Sequence, residues 1–85
     1  MGEVHLAHPP EGVDYHQQAL TIARQVGYRN GEGWALHNLG LTYHSLGDYR
    51  QAIDYHQQAL AIAREISDLV IVDKVEQGAI ATIAN

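Results

Sequence analysis

A stretch that occurs twice decides the fold: VDYHQQALTIARQV at residues 13–26 and IDYHQQALAIAREI at residues 53–66. When residue 13 is aligned with residue 53, ten of these 14 positions are identical and the four differences are mild. A fixed period of this length indicates that one structural unit is used twice and stacked on itself.

Each copy has the spacing of an amphipathic helix. In the second copy, side chains that recur at intervals of three and four residues share one face. They are Ala52, His56, Ala59, Leu60 and Ala63. Asp48 is a good N-cap, because its carboxylate can accept from the free amides of the first turn. We therefore predict helices at about 13–26 and 48–66, the first ending at Gly27, which tolerates a left-handed turn.

The segment between the copies, GEGWALHNLGLTYHSLG at residues 31–47, predicts a third helix at about 31–46. Its apolar side chains again have helical spacing. Gly40 lies inside this helix, where glycine costs roughly 1 kcal/mol relative to alanine. Such a glycine is favoured where another helix crosses closely. Gly47-Asp48 then makes a tight turn, so the unit is an antiparallel helix pair with a short connector.

The C-terminal part predicts a fourth helix at about 69–84, with Val72, Val75, Ala79 and Ile83 along one stripe. Two interpretations of the junction at Ser67-Asp68 stay open. Asp68 caps a new helix that folds back, or one long helix runs from residue 48 past residue 68. We favour the fold-back, because Ser and Asp prefer caps to helix interiors. The helical domain then covers residues 12–85, preceded by a disordered or vector-derived segment at 1–11.

The amino-acid composition excludes some classes of binding partner. The chain has 85 residues, no cysteine and a net charge of -5, with only five scattered Lys and Arg residues. Nucleic-acid binding needs clustered positive charge, so we expect no nucleic-acid partner. No apolar run approaches the roughly 20 residues of a membrane span, and no secretory signal is present at the N-terminus. We expect a cytoplasmic protein without a membrane partner.

Metal binding and catalysis are not expected. The chain has six histidines, but helical metal pairs are usually three or four residues apart, and only His5 and His8 have that spacing, next to Pro9-Pro10. No serine or carboxylate has the surroundings of a nucleophile or an acid-base pair, and no phosphate-binding loop is present. We therefore predict neither a cofactor nor an enzyme activity.

The residues Leu39-Gly40, Tyr43, Ala52 and Ala59 resemble the pattern of the tetratricopeptide repeat family in order and spacing. The match covers residues 12–66. Residue 53 occupies the same repeat position as residue 13. The repeat length is therefore greater than the ~34 residues usual in the family. It is similar to the longer-repeat branch, which includes kinesin light chains, Leu-Gly-Asn-repeat adaptors and bacterial regulators. The resemblance implies an all-α solenoid fragment of about one and a half repeats plus a C-terminal helix.

The resemblance also implies a function, because first helices of such repeats line a concave protein-binding face. The corresponding residues here are Trp34, His37, Asn38, Leu41 and His44. An asparagine amide both donates and accepts, so Asn38 can pair with a peptide backbone. This helix has no Lys or Arg, so the grip on a C-terminal carboxylate seen in chaperone-type members is not expected.

Self-assembly is the alternative function that the sequence leaves open. The ends of a repeat fragment expose apolar faces that neighbouring repeats would cover. A homo-oligomer, such as a dimer formed by stacking or by helix exchange, would bury them. In that case a charge placed at Val75 or Ile83 should change the molecular mass.

Overall fold

The computed structural model describes residues 11–84, which fold as four α-helices. They are α1 (Glu11–Val26), α2 (Arg29–Ser45), α3 (Tyr49–Glu65) and α4 (Leu69–Ala84). Consecutive helices are joined by turns of two or three residues and pack as antiparallel pairs. α4 also packs near α2. The predicted all-α repeat fold is confirmed.

The internal repeat is visible in the geometry of the turns. The amide of Tyr28 donates to the carbonyl of Ala23 at 2.9 Å, and at the equivalent positions of the second copy the amide of Asp68 donates to the carbonyl of Ala63 at 2.9 Å. Gly27 has a φ of 74°, and Ser67, its equivalent, has a φ of 56°. The two helix pairs therefore turn in the same way, although only the first turn has a glycine.

The junction after α3 is a turn rather than a continuous helix. Asp68 accepts hydrogen bonds from the amides of Val70 and Ile71 through its side chain, at 3.1 and 3.2 Å, and so caps α4. It also accepts from the side chain of Asn30 on α2. Asp48 caps α3 in the predicted manner, accepting from the amide of Gln51 at 3.2 Å.

The core lies mainly between α2, α3 and α4, and the buried Leu20 of α1 belongs to it. Its largest fully buried side chains are Leu36, Leu39, Ile71, His56 and Val75. Gly40 lies against the ring of His56, and a Cβ at Gly40 would sit 2.6 Å from its Cε1 atom. The close helix crossing predicted at Gly40 is confirmed.

Val75 and Ile83, the two α4 positions at which a charge was expected to change the molecular mass, differ in exposure. Val75 is fully buried, whereas Ile83 is 70% exposed. A charge at Val75 would therefore disrupt the core rather than report on self-association, and only Ile83 lies on an accessible surface.

The helix bounds differ from expectation most at two helix starts. α1 begins at Glu11 rather than at about residue 13, and α2 begins at Arg29 rather than at about residue 31. A Cβ at Gly33 would meet Ile62 at 3.5 Å and Ile71 at 3.6 Å, which are ordinary van der Waals distances, so the packing of α3 and α4 at this point does not require glycine. The N-terminal segment predicted at 1–11 lies, apart from Glu11, outside the described residues.

A buried carboxylate connects the first three helices. Glu32 on α2 is 7% exposed and receives Arg24 at 3.1 Å and Arg29 at 2.8 Å. Burial alone would raise the pKa of Glu32, but hydrogen bonds from both arginines outweigh it and hold that pKa below its usual value. Arg29 also pairs with Glu65 on α3. Within residues 11–84, no helix is long and apolar enough to cross a membrane.

Candidate functional site

The five residues expected on the binding face lie in two different environments. Trp34, Asn38 and Leu41 follow one another at i, i+4 and i+7 and form one surface row on α2, which we call the α2 stripe. Trp34 and Asn38 are half-buried, and Leu41 is 43% exposed. Trp34 rests partly on the hydrophobic core. Solvent therefore reaches all three residues of the stripe.

The Asn38 side chain is open to a partner. Its amide group makes no hydrogen bond within residues 11–84, whereas its backbone carbonyl accepts from the hydroxyl of Thr42 at 2.9 Å. A half-buried amide with unused donor and acceptor groups can still pair with a ligand.

His37 and His44 point toward α3 and α4 instead. His37 is only 5% exposed, and its ring centroid lies 5.5 Å from that of His56. Nδ1 of His44 lies 2.9 Å from the hydroxyl of Thr82 on α4, and its ring packs 5.2 Å from Tyr49. His37 is therefore not part of an exposed face, because α4 covers it. His44 is half-buried at the edge.

His56 is held as a neutral ring inside the core. It is 1% exposed, and neither ring nitrogen has a hydrogen-bond partner within residues 11–84. Burial, followed by the neighbouring His37 and His44, lowers the pKa of His56 to about 4. Burial and then Lys74 lower the pKa of His37. A catalytic base needs a partner within hydrogen-bond reach, and His56 has none among the described residues.

Metal ligands do not converge in the described part of the chain. Residues 11–84 contain no group of three His, Cys, Asp or Glu side chains that could hold a metal ion. The His5/His8 pair singled out in the sequence lies outside these residues.

Lys74 is a charged neighbour that sequence reasoning missed. It lies on the exposed surface of α4, close enough to act on His37. None of the α2 residues expected on the binding face is a lysine or an arginine. The repeat alignment would have found it, because Lys74 is the α4 equivalent of Trp34.

The apolar grooves of the molecule lie at its two ends, away from the α2 stripe. One groove, with a volume of about 290 Å³, runs between α3 and α4 and includes His56, Leu60, Ile80 and Ile83. A second, of about 330 Å³, lies where α1 meets the start of α2. These are the surfaces that further repeats would cover in a longer array.

Comparison with known proteins identifies the family. The family model described as Tetratricopeptide repeat matches residues 4–65. The chain therefore belongs to the tetratricopeptide repeat family, whose repeats serve as protein–protein interaction scaffolds. Searches of curated proteins and of solved structures returned no match.

Proposed function

We propose that the chain binds a segment of another protein along the α2 stripe, on a face completed by α4. The observation that carries this proposal is the exposure pattern of α2. This helix is surrounded by α1, α3 and α4, yet Trp34, Asn38 and Leu41 reach solvent together in one row.

The chemistry of the stripe fits an extended peptide. Trp34 and Leu41 offer apolar surface at the two ends of the row, and the amide of Asn38 lies between them. The amide of Asn38 can hydrogen-bond to the main chain of a peptide whatever its side chains are. The apolar groups on each side of it can anchor the peptide. Lys74 and Ala81 extend the face onto α4.

We also propose which branch of the tetratricopeptide repeat family the chain belongs to. The repeat length is the same in sequence and structure: the spacing between the two copies equals the spacing between the start of α2 at Arg29 and the start of α4 at Leu69. This repeat is longer than the family's usual one. This favours the longer-repeat branch. We expect a scaffold without catalytic activity that works in the cytoplasm and binds neither nucleic acid nor membrane. Self-association is the second candidate function, and the apolar end grooves favour it.

Peptide selection tests the binding proposal directly. Because Trp34 is the only tryptophan in the chain, its fluorescence reports on a ligand at the stripe. We expect peptides selected from a random library to shift this fluorescence. Asn38→Ala should weaken them at least about tenfold, or about 1.4 kcal/mol, without changing the unfolding temperature.

Gln58→Ala, at an exposed position of α3, is the matched control and should bind as the wild type does. Selected peptides that bind Asn38→Ala and Leu41→Asp as tightly as the wild type would refute the stripe as the site. Failure to enrich any peptide would refute the proposed function itself.

A further inference from the structure

The two apolar ends of the molecule are complementary parts of the same helix–helix contact. The repeat makes α1 equivalent to α3 and α2 equivalent to α4. α3 packs between α2 and α4. Among residues 11–84, the only helix beside α1 is α2, and the only helices beside α4 are α2 and α3. Each end therefore lacks the kind of helix that the other end exposes.

Exposure values at equivalent positions show what each end lacks. Ile62 on α3 is 7% exposed, whereas its equivalent Ile22 on α1 is 58% exposed. Tyr55 is half-buried, and its equivalent Tyr15 is 69% exposed. The α1 surface thus lacks a helix of the α2 type.

The other end lacks a helix of the α3 type. Ile80 and Ile83 on α4 are 66% and 70% exposed, whereas their α2 equivalents, Gly40 and Tyr43, are buried and half-buried against α3. With Gln57 and Leu60 of α3 they line the 290 Å³ groove. We call this surface the α4 groove.

We infer that a second copy of this chain inserts its α1 into the α4 groove, so that copies stack head to tail. The occupant is specified by the repeat. The helix that fills the equivalent position inside the chain is α3, and α1 is the helix whose sequence repeats it. A copy placed by two applications of the repeat continues the stack without overlapping the first copy.

Two contacts inside the chain have equivalents that two stacked copies could form. In each case the equivalent residues are exposed, one at each end of the molecule. The side chain of Gln17 donates to the hydroxyl of Tyr55 at 2.9 Å, and the ring of Tyr55 stacks on Tyr43 at 5.5 Å. Advancing each contact by one repeat pairs Gln57 and Ile83 of one copy with Tyr15 of the next. The donor, the acceptor and the apolar surface are therefore available for the same arrangement.

One position differs from the internal contact and limits its strength. The ring of His56 fits against Gly40 because glycine has no Cβ, but the α4 equivalent of Gly40 is Ile80. The incoming α1 therefore lies further from α4 than α3 lies from α2. The copies associate weakly and reversibly, and the average mass rises with concentration.

Because the two surfaces differ, the contact is heterologous, and it leaves one free surface at each end of a stack. This predicts complementation. Tyr15→Glu damages α1 but keeps the groove, and Ile83→Glu damages the groove but keeps α1. Each variant alone should remain a monomer, and an equal mixture should form a dimer of twice the mass that cannot grow further.

Sedimentation equilibrium of the full chain over a wide concentration range is the measurement. Gln58→Glu, which adds the same charge at an exposed position of α3, should associate as the wild type does. Circular dichroism checks that the variants fold, and Ile80→Glu serves as a second groove variant. The residues changed in these variants lie outside the α2 stripe, so the experiment tests self-association independently of peptide binding.

Three results would overturn the inference. A wild-type chain that stays monomeric at every concentration would leave the groove to a further repeat or to another protein. Association of Tyr15→Glu alone would indicate a symmetric contact between grooves. A mixture of the two variants that remains monomeric would contradict the pairing of α1 with the α4 groove.

Discussion

Mild acid should destabilise the fold through His56. The ring is 1% exposed and lies between Gly40 of α2 and Gly78 of α4, and no group in the described part of the chain hydrogen-bonds to either nitrogen. His37 and His44 act on it from α2, so a proton on His56 would meet no compensating charge from either histidine. Protonation therefore requires the ring to leave its site or the helices to separate.

The magnitude follows from the two pKa values. In the unfolded chain the pKa of His56 is about 6.5, and in the folded chain it is about 4. The unfolded state therefore binds the proton first, and stability falls as the pH drops from 6.5 toward 4. The loss is about 2 kcal/mol at about pH 5, and about 3 kcal/mol once the pH is below both pKa values. The lowered pKa of His37 acts in the same direction.

Urea unfolding, followed by circular dichroism at neutral pH and at about pH 5, measures this loss. His56→Met replaces the ring by a side chain of similar size that does not titrate, so the acid-dependent loss should shrink by about 2 kcal/mol. His16→Met, at the equivalent position of α1, should keep the loss because His56 is still present. An equal loss in His56→Met and in the wild type would refute the reasoning.

Three substitutions test the packing and the turns by urea unfolding at neutral pH. Gly40→Ala should destabilise by about 1–3 kcal/mol, because its Cβ would sit 2.6 Å from the His56 ring; unchanged stability would mean that the ring can move aside. Ser67→Gly should stabilise by about 0.5–1 kcal/mol, since a left-handed φ costs serine more than glycine; any loss of stability would contradict this. Asp68→Ala should cost about 1 kcal/mol or more, because it removes the cap of α4 and the contact with Asn30; a loss no larger than that of an exposed α3 substitution would count against the cap.

Much of the fold could be predicted because the information is local. The repeated helix reveals its period directly, Asp48 follows the ordinary preference for an N-cap, and a glycine inside an apolar helix indicates a close neighbour. Gly40 fulfils this last prediction by accepting the ring of His56. The turn at Ser67 was harder, because serine there takes a backbone conformation that usually indicates glycine.

The candidate site could be predicted only in part because it depends on α4. The sequence of α4 does not follow the family pattern, so its packing could not be read from the repeat. As a result the sequence predicts an exposed His37, whereas α4 buries it, and an accessible Val75, whereas that side chain is in the core. Lys74 lies on α4 at the position equivalent to Trp34, so it joins the proposed face only when α4 is included in that face.

The measurement that tests the central claim most directly is the location of a selected peptide by amide NMR shifts. The account predicts that the largest changes fall on the α2 stripe, around Asn38 and Leu41, and on the adjoining α4 surface at Lys74. Changes confined to Ile22 on α1 or to Ile80 and Ile83 in the α4 groove would contradict it, because the peptide would then occupy an end of the stack.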